Sequence, residues 1–285
     1  MKNRMEAFER KRDFLICVDS DGCAMDTMDI KHIRCFGPYM IEEWGLEPWR
    51  EQLLKRWNEI NLYSKTRGVN RFKALVTLLK EVDREIRPVE GLKALCRWAE
   101  ESGELSNASL EAAVEGEEES QRDALKKALS WSRKVNEGIE GISEDEKRAF
   151  PNVKKALGIL HKRADIAVIS SANLQAVTAE WEKEGLLELV DGVFTQNDGS
   201  KAFCIGELMK KGYKPHQALM AGDAPGDLQA AETNHILYFP ILVGREGESW
   251  ERLLTEGADA FFDGRYAGAF QEARIREFWE NLEEK

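Results

Sequence analysis

Asp19 and Asp21 stand two residues apart at the end of an apolar run, Ile16-Cys17-Val18, and Gly22 follows at once. While the backbone stays extended, side chains two residues apart project to one side, and glycine then lets the chain turn sharply. Two carboxylates held close repel unless a cation or a shared proton lies between them. The pair therefore points to Mg²⁺, to acid/base work, or to both. A strand that ends in an aspartate-rich turn accounts for the same residues equally well.

Three further places could contribute. Ser170 and Ser171 lie just before a predicted helix, where a hydroxyl and free backbone N–H groups make a cradle for phosphate or another oxyanion. An ordinary N-cap would use the same residues. Lys201 follows Asp198-Gly199-Ser200 at the head of the next helix, and taken alone it reads as a surface lysine. In Gly222-Asp223-Ala224-Pro225-Gly226-Asp227 the first glycine frees a turn and the proline opens a helix. The two acids there suit either caps or metal ligands. The four places come in the order acid pair, hydroxyl, lysine, acid pair, each at or just past a predicted strand end, which chance explains poorly. An EF-type calcium loop over Asp19–Ile30 is excluded, because its glycine falls at position four instead of six and Ile30 takes the place of the bidentate glutamate.

The elements that must position these groups follow from the hydrophobic rhythm. Residues 14–19 form an apolar strand. From Pro151 onward helices and strands alternate: helix 151–163, strand 165–170, helix 173–184, strand 191–195, helix 201–211, strand 217–221, helix 225–234, strand 236–242 and helix 248–256. Such alternation means a parallel sheet with helices on both faces, and ligands of these sheets bind beyond the carboxyl ends of the strands. Residues 23–150 are helical in character, with apolar positions such as Ile33, Phe36, Met40 and Trp44 at 3–4 spacing. They carry five of the eight tryptophans, enough for a core of their own. The fold class is thus α/β: a Rossmann-like core made of residues 1–22 and 151–285, interrupted by an all-helical domain, 23–150. Within the insertion, residues 99–122 hold eight glutamates and one arginine and read as a solvated loop or frayed helix.

Composition sets the outer bounds. The 285 residues allow about two domains. A net charge of −11 argues against general affinity for nucleic acid or anionic membranes, so an anionic substrate must be held by local cations. The five cysteines are odd in number and lack Cys-x-x-Cys spacing, which suits reduced thiols. No run approaches a membrane span, and the charged start MKNRMEAFERKRDF carries no apolar signal core. The expectation is a cytoplasmic protein.

The motif set resembles the haloacid dehalogenase superfamily of phosphohydrolases. Its Asp-x-Asp-Gly motif matches Asp19-Ser20-Asp21-Gly22, its Ser/Thr motif Ser170, its lysine Lys201, and its Gly-Asp-x-x-x-Asp motif Gly222–Asp227. A helical cap inserted after the first motif is the pattern of the first cap class, and Phe150-Pro151-Asn152-Val153 resembles the usual return to the core. Arg67-Gly68-Val69-Asn70-Arg71 is similar to the specificity loop of the β-phosphoglucomutase and phosphoglycolate phosphatase branch. That branch tends to carry a histidine ten positions after the second motif aspartate; here Lys31 stands there, with His32 beside it.

The resemblance implies a Mg²⁺-dependent phosphatase acting on a small phosphorylated metabolite. Asp19 would be nucleophile and metal ligand. Asp21 would serve as acid and base and offer its backbone carbonyl to the metal, with Asp223 and Asp227 completing the metal set. Ser170, Ser171 and Lys201 would hold the phosphate, and Arg67 and Arg71 of the cap would select the substrate. A sugar phosphomutase like β-phosphoglucomutase is the alternative, and a non-catalytic binding protein on the same fold a third. The oligomeric state is left open.

Overall fold

Residues 4–283 are described here by a computed structural model. The chain forms two compact units, Met1–Met28 with Ser143–Lys285, and Asp29–Ile142.

The first unit is built on five parallel strands, β1 (Phe14–Val18), β2 (Ala164–Ile169), β3 (Gly192–Phe194), β4 (Ala218–Gly222) and β5 (Leu237–Pro240), in the order β3-β2-β1-β4-β5. Strands β2, β4 and β5 are buried at every residue, as expected when helices cover both faces of a sheet. Strand β5 is an edge strand that ends at Pro240, where a missing N–H costs no ladder bond, and the Ile241 N–H still donates to the Gly222 carbonyl at 2.8 Å. Register places Val18 between Val168 of β2 and Ala221 of β4. Asp19, Ser170 and Asp223 therefore emerge one or two residues beyond a common row. Strand order reverses its sense beside β1, and this is where a crevice opens in such sheets.

Residues 23–28 and 143–150 belong with the sheet unit, although the change of hydrophobic pattern places the boundaries at 22 and 151. Backbone pairing is the reason: Asp26 N–H donates to the Arg148 carbonyl at 2.8 Å, Phe150 N–H to that of Ala24 at 3.0 Å, and Met25 bridges Ala149. A helix at Ala269–Glu283 closes the unit and lies outside the series expected from the sequence.

The second unit is helical. Its main helices, Gly37–Trp44, Arg50–Leu62, Arg71–Glu85, Leu92–Glu101, Asn107–Gly116 and Asp123–Glu140, enclose a core in which Trp131 makes edge contacts with Phe36, Trp57 and Phe72 at centroid distances of 6.0, 5.8 and 6.1 Å. Buried indoles need acceptors: Trp131 donates to the Phe36 carbonyl at 3.0 Å and Trp57 to His32 Nδ1 at 3.1 Å. Ile33 departs from the expected core stripe and is 52 % exposed. It lies in a π-helical turn, His32–Phe36, whose i→i+5 bonding puts more residues in the turn and breaks the 3–4 spacing. The acidic segment is also more ordered than its composition suggests, since Ser106 caps the helix Asn107–Gly116 through Ser109 N–H at 3.2 Å and Leu110 is wholly buried.

Candidate active site

Beyond β1 the Asp19 N–H still donates to the Ala221 carbonyl at 3.0 Å, so the strand geometry extends to this residue and aims its carboxylate. The chain then turns at Gly22, whose φ of 82° favours glycine, and its N–H closes onto the Met25 carbonyl at 2.9 Å. Asp21 lies outside the buried acids; its carboxylate accepts a hydrogen bond from the buried hydroxyl of Thr27.

Lys201 is the first residue of the helix Lys201–Met209, capped by Ser200, which accepts from Phe203 N–H at 3.2 Å. Its side chain is only 15 % exposed, so it is not a surface lysine, and its ammonium lies 2.7 Å from Asp19 Oδ1 and 2.6 Å from Asp227 Oδ1. The other Asp227 oxygen accepts the Ala224 N–H at 3.0 Å. Asp227 thus caps its helix and holds Lys201 at once. Asp223, beside Gly222 at the end of β4, is buried.

Ser170 is buried and Ser171 exposed. The Ser170 hydroxyl accepts the Ala172 N–H at 3.1 Å, while Asn173 caps the helix Leu174–Lys183 through Ala176 N–H at 2.9 Å. The capping duty therefore falls on Asn173 and not on the serines.

Asp19, Asp223 and Asp227 are all buried, and each offers a carboxylate oxygen within 4.8 Å of the other two. Burial pushes Asp19 well above the usual carboxylate range; Lys201 opposes the rise, and Asp227 and Asp223 add to it. Burial alone would favour a neutral Lys201, but Asp19 and Asp227 outweigh it and hold the amine charged beyond the ordinary lysine range. Three clustered buried carboxylates, two of them against the Lys201 ammonium, gather more negative charge than that ammonium offsets, and buried groups tolerate this poorly. A hard divalent cation, which prefers oxygen donors, would relieve it. The residues fit such an ion.

The sequence profile of haloacid dehalogenase-like hydrolases matches residues 91–239, more than half of the chain. The chain belongs to the haloacid dehalogenase-like hydrolase family. No curated protein sequence matches it significantly. Among solved structures it is similar to a haloacid dehalogenase-like family hydrolase from Streptococcus pneumoniae, with 15 % identity, 84 % of this chain and 90 % of that one covered, and a TM-score of 0.47. A structure provisionally named a β-phosphoglucomutase from Thermotoga maritima gives 17 % identity, 80 % and 84 % coverage and a TM-score of 0.48. A subfamily IA hydrolase from Geobacter sulfurreducens gives 13 %, 81 % and 88 %, and 0.41.

In this haloacid dehalogenase-like hydrolase the two cap arginines are held within the helical unit. Arg67 is buried and donates to the Leu62 carbonyl at 2.6 Å. Arg71 donates to Asn136 Oδ1 at 2.7 Å and lies over the Phe36 ring, 4.9 Å from its centroid; burial pushes its guanidinium down to about 10. Sequence reasoning misses Thr27, since a threonine six residues after Asp21 carries no periodic or spacing signal. Among the described residues no helix is long and apolar enough to cross a membrane.

Proposed function

We propose that the chain is a Mg²⁺-dependent phosphatase that acts on a small phosphorylated metabolite through an aspartyl phosphate on Asp19. The observation that carries this reading is the Lys201 ammonium, 2.7 Å from Asp19 and 2.6 Å from Asp227, inside a buried cluster of three carboxylates.

An Asp19 oxygen attacks phosphorus while the bond to the leaving oxygen breaks, forming the acyl phosphate. Asp21, oriented by Thr27, gives the leaving oxygen its proton. Water then attacks phosphorus, Asp21 takes a proton from it, and Asp19 departs as the carboxylate. Ser170, Ser171 and Lys201 balance charge on the transferring group. Asp19, Asp223, Asp227 and the Asp21 carbonyl would hold Mg²⁺, which when bound offsets the repulsion between Asp19 and the phosphate. Arg67 and Arg71 suit recognition of the rest of an anionic substrate, since a guanidinium meets carboxylate or phosphate in a bidentate fork.

The test is phosphate release from a panel of phosphorylated metabolites with and without Mg²⁺, using the chain and Asp19→Asn. Mg²⁺-dependent release by the former alone is expected. Turnover by the variant near that of the parent chain would remove Asp19 as nucleophile, and isomerisation stimulated by a trace of bisphosphate, without phosphate release, would favour a phosphomutase.

A further inference from the structure

Ser20 lies between the two aspartates, in the turn that follows β1. There its hydroxyl accepts the indole N–H of Trp181 at 2.8 Å. Both residues are 0 % exposed. Trp181 sits on the helix Leu174–Lys183, which follows Ser170 and strand β2. The Ser20 carbonyl meanwhile accepts the N–H groups of Cys23, Ala24 and Met25 at 3.3, 3.0 and 2.8 Å. A second buried indole, Trp250, donates to the Cys23 carbonyl at 2.9 Å.

The two indoles do different things. Trp250 holds main chain and fixes where the turn lies. Trp181 holds a side chain, and so fixes how the segment is rotated about its own axis. Because an indole N–H can only donate, Ser20 must accept, and this orients the hydroxyl. Asp19 and Asp21 each adjoin Ser20 through one peptide bond, so anchoring Ser20 limits how far either can rotate from its own partner, Lys201 for Asp19 and Thr27 for Asp21.

We infer that Trp181 and Ser20 are positioning residues that set the rotation of the Asp19–Asp21 segment and thereby the aim of both carboxylates. The kinetic part of this inference rests on the phosphatase reading; the geometric part does not. Misplacement of reacting groups by about 1 Å costs on the order of a hundredfold in rate, and loss of one anchoring hydrogen bond should produce part of that.

The experiment uses the full chain, Trp181→Phe, which keeps an aromatic ring but deletes the N–H, and the smaller change Ser20→Ala. In ¹H–¹⁵N spectra without metal, the indole resonance absent from Trp181→Phe identifies Trp181, and Ser20→Ala should displace it. Saturating Mg²⁺ should displace it in the parent chain as well. In Mg²⁺-dependent phosphate release each variant should lose roughly ten- to a hundredfold in kcat with KM within about twofold, and the double variant should be no worse than either single one, as for two groups acting through one bond. Unchanged kcat in either folded variant, or losses that multiply in the double variant, would overturn the inference. Should the parent chain release no phosphate, the phosphatase reading fails separately, and an indole resonance unmoved by Mg²⁺ and by Ser20→Ala would still overturn the positioning role.

Discussion

A β-carbon on Gly222 would lie 2.4 Å from the β-carbon of Asp227. The absence of a side chain at 222 is therefore what lets Asp227 fold back against β4, where it meets Lys201 and the Ala224 N–H. Glycine serves here for close approach and not for an unusual φ.

Gly222→Ala should accordingly displace Asp227. Overpacking of this kind costs about 1–3 kcal/mol, or roughly 2–4 °C in Tm per kcal/mol. Thermal denaturation with and without Mg²⁺ reads both effects: a lower midpoint, and a smaller upward shift on adding the ion because one carboxylate has moved.

Lys201→Met removes the ammonium that faces Asp19 and Asp227. Phosphate release should fall by on the order of 10²–10³, as for a single charge-stabilising donor. The midpoint of the metal-free protein should fall too, since buried carboxylates lose their partner, and Mg²⁺ should recover part of it. A midpoint indifferent to Mg²⁺ in this variant would contradict cation binding by the acids.

Asp191 offers a test by pH. Its Oδ2 accepts the Ile166 N–H at 3.0 Å and lies 3.0 Å from His161 Nε2, while Oδ1 lies 2.9 Å from Lys11. Burial alone would raise its pKa, but the Ile166 N–H, Lys11 and His161 outweigh it and hold the carboxyl below its ordinary value. A group depressed on folding stabilises above its unfolded pKa, about 3.9 for aspartate, and that contribution is lost as the pH falls through the folded value. Asp191→Asn should lower the midpoint at pH 7 and show a shallower decline below about pH 4 than the parent chain.

Arg71→Ala should raise KM several-fold for the preferred substrate and leave a generic aryl phosphate nearly untouched, if its guanidinium recognises the part of the substrate remote from the transferring group. Equal losses on both substrates, measured by steady-state kinetics, would contradict that role. The neutral partners Asn136 and Ser132 leave the arginine's charge uncompensated by them.

Much of this was legible in the residues. Fully buried parallel strands tend to be near-continuous apolar runs, so β4 and, apart from Asp165, β2 stand out, and the glycine that ends β4 and the hydroxyl just after β2 mark the site. What escaped the sequence depends on contacts between distant segments. Ile33 belongs to the apolar repeat by type, and only the π-helical turn His32–Phe36 takes it out of phase. The helix Asn107–Gly116 is hidden by its glutamates, because its one wholly buried side chain, Leu110, gives no periodicity. Thr27 and Trp181 act through single hydrogen bonds to Asp21 and Ser20, and the Trp181 bond spans most of the chain between its partners.

The antiparallel pairing of residues 24–26 with 148–150 has a consequence for the architecture as a whole. It joins the segments leading out to and back from the long excursion independently of anything inside that excursion, so a linker in place of residues 29–142 would close a loop already anchored at its base, at an entropic cost that grows only slowly with its length. The helical segment is in this sense a replaceable attachment, and the sheet unit can keep its acids while the insertion is exchanged.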